Sequence, residues 1–107
     1  MREPTFLILT ALAGGDALHG YGIVQEVAAL SDNRVSLLPG TLYTALDRLA
    51  AQGLVERDRE EVVDGRLRRY YRLTSDGRSI LEAETARLRQ LATAAETRLR
   101  STRPSIA

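Results

Sequence analysis

Four arginines, Arg66, Arg68, Arg69 and Arg72, fall within seven residues directly after the turn dipeptide Asp64-Gly65. Guanidinium groups are planar and permanently charged, and they grip phosphates and guanine edges through paired N–H donors. A second group of contact residues follows Pro39-Gly40: Thr41, Tyr43, Thr44 and Arg48. Their hydroxyls and charge suit hydrogen bonding to an anion, and a helix opening at Pro39 adds its own free N–H groups. Polyanion binding is the chemistry these residues support. Catalysis is not expected: Asp47 and the Glu60-Glu61 pair stand beside arginines on segments read as exposed, with no companions for a pocket. The single histidine, His19, lacks a metal-binding companion and is expected to hydrogen-bond backbone where a helix opens. The chain has no cysteine, which removes disulfides and thiolate metal sites, so neither metal nor cofactor is expected.

Hydrophobic spacing predicts the elements that carry these residues. Leu42, Leu46 and Leu49 recur at intervals of four and three, which marks a helix from Pro39 to a left-handed stop at Gly53. Thr41, Thr44, Asp47 and Arg48 lie elsewhere on its surface. Leu54–Arg59 and Leu67–Leu73 read as two strands, with aromatic β-formers in the second. Asp64-Gly65 favours a tight reversal between them, while residues 60–64 suggest a longer tip. On the second strand Arg66, Arg68 and Arg72 share one parity, and Arg69 and Tyr71 the other.

Upstream, Thr5 to Ala13 is apolar on most faces, as in a helix that is buried or shared with a partner chain. A polar, glycine-containing joint from Asp16 to Gly22 leads into a second helix, roughly Gly20 to Leu30, and then a loop at residues 31–33. Downstream, Thr74-Ser75-Asp76 supplies a cap and an acid for a last helix over residues 76–100. Leu81, Leu88 and Ala95 are seven apart, and Leu91 and Leu99 extend the stripe into a weak heptad. The tail Ser101 to Ala107 is expected to fray.

The order helix, helix, helix, strand, strand, helix predicts a mainly α fold. It is a winged helix-turn-helix, a three-helix bundle plus a two-stranded β wing, with a long C-terminal dimerisation helix. At 107 residues the chain is long enough for one core without much surplus. Residues 1–75 form the expected DNA-binding domain, and 76–107 the dimerisation helix and tail. Phe6, Leu9, Leu81, Leu88, Leu91 and Leu99 are the expected dimer interface. Thr41, Tyr43, Thr44, Arg48, Arg66, Arg68 and Arg69 are the expected DNA contacts. The formal net charge of +1 says little by itself. The apolar run from Phe6 to Ala13 is too short to span a bilayer, which favours a cytoplasmic protein.

From Phe6 to about Leu91 the chain resembles the PadR-like transcriptional regulators in their short form. The resemblance rests on Leu18-His19-Gly20-Tyr21-Gly22-Ile23 and on Pro39-Gly40-Thr41-Leu42-Tyr43 with Ala45-Leu46 and Arg48-Leu49. Gly53-Leu54-Val55, Arg68-Arg69-Tyr70-Tyr71-Arg72-Leu73-Thr74 and Gly77-Arg78 complete it. It implies a homodimeric repressor that binds an inverted repeat in double-stranded DNA. The first and last helices would build the dimer, and a small-molecule or stress signal would release it. Three departures stand out. There is no tryptophan to stack on an aromatic ligand, Leu38 replaces a frequent capping serine, and Thr44 replaces a frequent proline. A reading from another class is a winged-helix protein–protein adaptor without DNA binding, motivated by the acidic run Glu56 to Glu61.

Overall fold

The computed structural model describes residues 1–101. Four helices and three strands follow one another as α1 (Glu3–Leu12), β1 (Leu18–His19), α2 (Gly20–Leu30), α3 (Pro39–Ala51), β2 (Val55–Val63), β3 (Arg66–Leu73) and α4 (Ser75–Ser101). The expected tail falls at residues 102–107, outside the described residues, whereas Ser101 closes α4.

The core is built where apolar stripes converge. Ile8 and Leu9 of α1, Ile23 and Val27 of α2, and Leu42, Leu46 and Leu49 of α3 are at most 1% exposed. Val55 and Tyr71 bring the base of the sheet onto the same cluster. The stripe predicted on α3 is therefore its core face. Gly53, at φ +75°, ends that helix region in the left-handed conformation glycine adopts without strain.

The wing departs from expectation in three ways. β2 and β3 stay paired as far as Val63 and Arg66, so the tip is a two-residue turn rather than a longer loop. Asp64 (φ +53°) and Gly65 (φ +75°) both have positive φ, the geometry of a type I′ turn that matches the twist of a hairpin. A bulge lies between Arg57 and Glu60, where β2 carries one residue more than β3 does between Tyr71 and Arg69. A third strand is also present. Leu18 pairs with Tyr71 and His19 with Tyr70, which makes the sheet antiparallel in the order β1-β3-β2. Two residues are too few to show alternation, and what makes them a strand is the free edge of β3.

α4 begins as predicted. Thr74 Oγ1 accepts from the Gly77 N–H at 2.9 Å and donates to the Gly53 carbonyl at 2.6 Å, which ties the helix start to the end of α3. Gly77 and Leu81 are buried, but every residue from Ala86 to Ser101 is exposed.

α1 packs against α2, α4 and β3, so most of its apolar circumference is used inside the subunit. This corrects the placement of Leu9 in a dimer seam: it is 0% exposed within its own chain. Leu81, 8% exposed, likewise belongs to the internal core cluster, and Phe6 packs partly buried against it. Leu88, Leu91 and Leu99 remain 39%, 54% and 76% exposed.

Leu38 stands at the N-cap of α3 in extended conformation, makes no side-chain cap and is 71% exposed. Serine there could accept a hydrogen bond from a first-turn N–H and would remove an exposed apolar side chain. Leu38→Ser is expected to raise stability by about 1 kcal/mol. Urea unfolding followed by circular dichroism measures this, and an unchanged or lower midpoint would contradict it.

Candidate nucleic-acid interface

With Leu42, Leu46 and Leu49 directed inward, helical geometry places Thr41, Tyr43, Thr44 and Arg48 around the exposed half of α3. They do not form one row. Tyr43 leans toward α2, and its hydroxyl lies so close to Gly20 that a Cβ there would collide with it. This close approach explains a glycine at position 20, which local sequence reading does not. Thr41, Thr44 and Arg48 recur at intervals of three and four on the side nearer α1. Arg48 Nη2 donates to Thr5 Oγ1 at 3.1 Å. Among the described residues Arg48 forms no ion pair, with neighbouring Asp47 or with any other acid.

The wing arginines divide into two sets. Arg72 is matched within the hairpin, with Nε 2.8 Å from Glu56 and Nη1 3.7 Å from Asp58. Arg69 lies 3.4 Å from Glu60, its cross-strand neighbour. Arg66 and Arg68 form no ion pair among the described residues. The acidic run on β2 thus neutralises part of β3, while Arg66 has no acid opposite it and Arg68, opposite Glu61, acts on that carboxyl without an ion pair.

Next to them lies a compact polar assembly. The bulge sets Arg59 over the Tyr70 ring, with its guanidinium carbon 3.9 Å from the centroid. Arg59 also donates to Glu61 at 2.9 Å and to Asp58 at 3.0 Å, and the Tyr70 hydroxyl donates to Glu61 at 3.2 Å. These hydrogen bonds hold the Glu61 carboxyl below its ordinary range. His19 packs on the other side of Tyr70, with ring centroids 5.3 Å apart. It makes no side-chain cap at the start of α2, which corrects its expected role as a backbone partner. Burial, then the positive charge of Arg68, lowers its pKa, and Glu61 opposes them. The fold therefore favours neutral imidazole. On acidification below the ordinary value of 6.5 the unfolded chain takes up this proton first, so the contribution of His19 to stability falls with pH in that window.

α3 and the wing meet at a cleft of about 430 Å³. His19, Gly20, Tyr21 and Tyr43 form one side, and Arg66, Arg68 and Arg69 are on the other. Tyr21 (65% exposed) and Tyr43 (42%) open to the surface there. Three cationic side chains and two tyrosine hydroxyls thus share one concave face. No group of three or more His, Asp or Glu able to hold a metal occurs among the described residues. No helix among them is long and apolar enough to cross a membrane.

The model of the transcriptional regulator PadR-like family matches residues 8–83, which spans all the elements that build this face. The chain belongs to that family. The regulator Rv3488 of Mycobacterium tuberculosis is 42% identical over 80 residues, which cover 75% of this chain and 71% of that protein. Among solved structures, a PadR family transcription regulator from Clostridium difficile superimposes with a TM-score of 0.74 at 25% identity. The match covers 92% of this chain and 99% of the other. Bacillus subtilis PadR, solved in complex with operator DNA, matches with a TM-score of 0.67 at 22% identity, over 78% of this chain and 48% of that one. The PadR-like fold is thus a winged helix-turn-helix with a long last helix, as the order of elements predicts. In this PadR-like chain β1 adds a third strand, and the glycine-rich segment around Gly20 is the contact point between α2 and Tyr43.

Proposed function

We propose that this PadR-like regulator is a homodimeric repressor that binds an inverted repeat in double-stranded DNA. The observation that carries the reading is the shared face of α3 and β3. Tyr43 borders the same cleft as Arg66, Arg68 and Arg69, and Arg66 and Arg68 form no ion pair among the described residues. In this reading α3 enters the major groove, with Thr41 and Tyr43 on phosphates and Thr44 nearest the base edges. Arg66, Arg68 and Arg69 hold the flanking backbone. α4 joins two subunits through Leu88, Leu91 and Leu99, with Phe6 alongside, so that the two α3 helices stand about 34 Å apart, one turn of DNA. A small-molecule or stress signal would release the operator by changing the angle between subunits. Such a ligand must favour the released state by a few kcal/mol.

A salt titration tests this. Duplexes selected by the protein from a random pool supply the operator. Affinity should fall with a log–log slope of about −0.9 per phosphate neutralised. Arg66→Ala with Arg68→Ala should make that slope shallower and weaken operator and unrelated duplex alike, because backbone contacts carry little sequence information. Salt-insensitive or absent binding would favour the protein–protein adaptor. Against the adaptor stands the internal pairing of Glu56, Asp58, Glu60 and Glu61 with Arg59, Arg69 and Arg72, which leaves little acidic surface for a basic partner.

A further inference from the structure

The second large concavity lies on the far side of α3 from the wing. It has a volume of about 570 Å³ and is bordered by Arg2 and Thr5 of the α1 end and by Gly40, Thr41, Thr44 and Arg48 of α3. Two guanidinium groups and three threonine hydroxyls therefore share one cleft whose lining contains no acid. The acid adjacent to Arg2 in sequence, Glu3, is engaged elsewhere, 3.1 Å from Arg34. Among the described residues neither Arg2 nor Arg48 forms an ion pair. Arg48 is held toward α1 by its 3.1 Å hydrogen bond to Thr5. That bond uses a single donor of a five-donor group. The remaining donors of Arg48 and the whole of Arg2 leave positive charge without a counter-charge in a concave site.

We infer that Arg2, Thr5 and Arg48 form a phosphate cradle that grips the DNA backbone on the edge of the groove opposite the wing, so that Arg48 positions α3 rather than reading bases. This rests on the DNA-binding reading above. Its geometry is complementary to the wing. Tyr43 and Arg66, Arg68 and Arg69 flank α3 on one side, and the cradle flanks it on the other. An element held on both sides by backbone contacts is fixed in register, because phosphate contacts set position and base contacts set sequence. The outermost line of α3, between the two flanks, runs through Gly40, Thr44 and Asp47, and base readout falls to this line. Thr5 has a supporting part: its hydroxyl fixes the direction of the Arg48 fork, so that the free N–H groups meet a phosphate already oriented.

The test measures affinity against salt for the full chain on its selected operator and on an unrelated duplex. The variants are Arg2→Ala, Arg48→Ala, the double variant and Arg48→Lys. Each alanine variant should weaken both duplexes by the same factor and leave their ratio unchanged. Each should also reduce the salt slope by about 0.9. Over a fourfold rise in salt, that is about 3.5-fold less loss of affinity than in the unmodified protein. The double variant should lose about twice that slope. Arg48→Lys should keep the slope but bind more weakly, because it keeps the charge and loses the fork. Thermal unfolding of each variant should match the parent, since both arginines are exposed. If Arg48→Ala weakened the operator alone and collapsed the ratio, Arg48 would be a base reader and the cradle would be wrong. An unchanged slope in the double variant would also overturn it. If the unmodified protein bound no duplex, the DNA-binding reading itself would fail and take the cradle with it.

Discussion

Gly77→Ala is expected to destabilise the chain by about 3 kcal/mol, a large part of the total stability of a domain this size. A Cβ at position 77 would run into the Leu54 carbonyl oxygen and the Leu73 side chain. The carbonyl cannot easily move aside, because it accepts the Thr74 N–H at 3.1 Å. Two effects compete. Alanine is favoured over glycine in a helix by about 1 kcal/mol. Overpacking against fixed backbone costs more, and the helix must lift from the wing base to relieve it. Lifting also pulls the Gly77 N–H from Thr74 Oγ1 and loosens the cap. Urea unfolding monitored by circular dichroism reads the change. A midpoint equal to or above that of the parent would show that α4 is not seated where the structure puts it.

Leu88→Asp combined with Leu91→Asp is expected to give a folded monomer with operator affinity lower by a factor of about 10² to 10⁴. The side chains are 39% and 54% exposed in the single chain, so the substitutions should leave the internal core intact. Along the last sixteen residues of α4 every side chain is exposed, and Leu88 borders the α1 end at Met1 and Phe6. A mostly polar helix that projects from its domain gains little stability on its own, and a second copy of the same stripe would cover it. Buried aspartates facing each other would prevent that pairing. Losing one of two linked half-site contacts then removes the gain in effective concentration. Sedimentation together with a binding titration tests both parts. A dimer that persists would move the interface elsewhere, and a monomer that binds the operator as tightly as the parent would end the two-subunit mechanism. Leu81→Asp makes a useful contrast: it is 8% exposed and belongs to the core, so it should unfold the chain instead.

Much of this architecture was legible because its signals are local. The intervals between Leu42, Leu46 and Leu49 define the inner face of α3 without reference to anything distant. Asp64-Gly65 specifies its turn through the backbone angles those two residues tolerate, and Thr74 caps the residue three positions on. The short tip is not legible locally, because the charged run from Arg57 to Glu61 shows no alternation that would mark a strand. β1 carries no local signal for a related reason, being made by the edge of β3 it pairs with. Charge partners were the least legible. Four arginines close in sequence have different fates: Arg72 and Arg69 pair with the acids opposite them, Arg66 faces Val63, and Arg68 faces Glu61, whose carboxylate is already bound by Arg59 and Tyr70.

The amino-acid order alone determined the succession of the four helices and the two wing strands, the family, and the placement of two groups of polar residues on α3 and β3. These follow from periodicity, capping and turn preferences, which act over a few neighbouring residues. Only the tertiary structure decided that Leu9 lies in the subunit's own core, that Gly20 makes room for Tyr43, and that Arg48 turns to Thr5 of α1. The reason is separation along the chain. Thr5 and Arg48 are 43 residues apart, and no local preference of either residue encodes a contact that exists only once the helices pack.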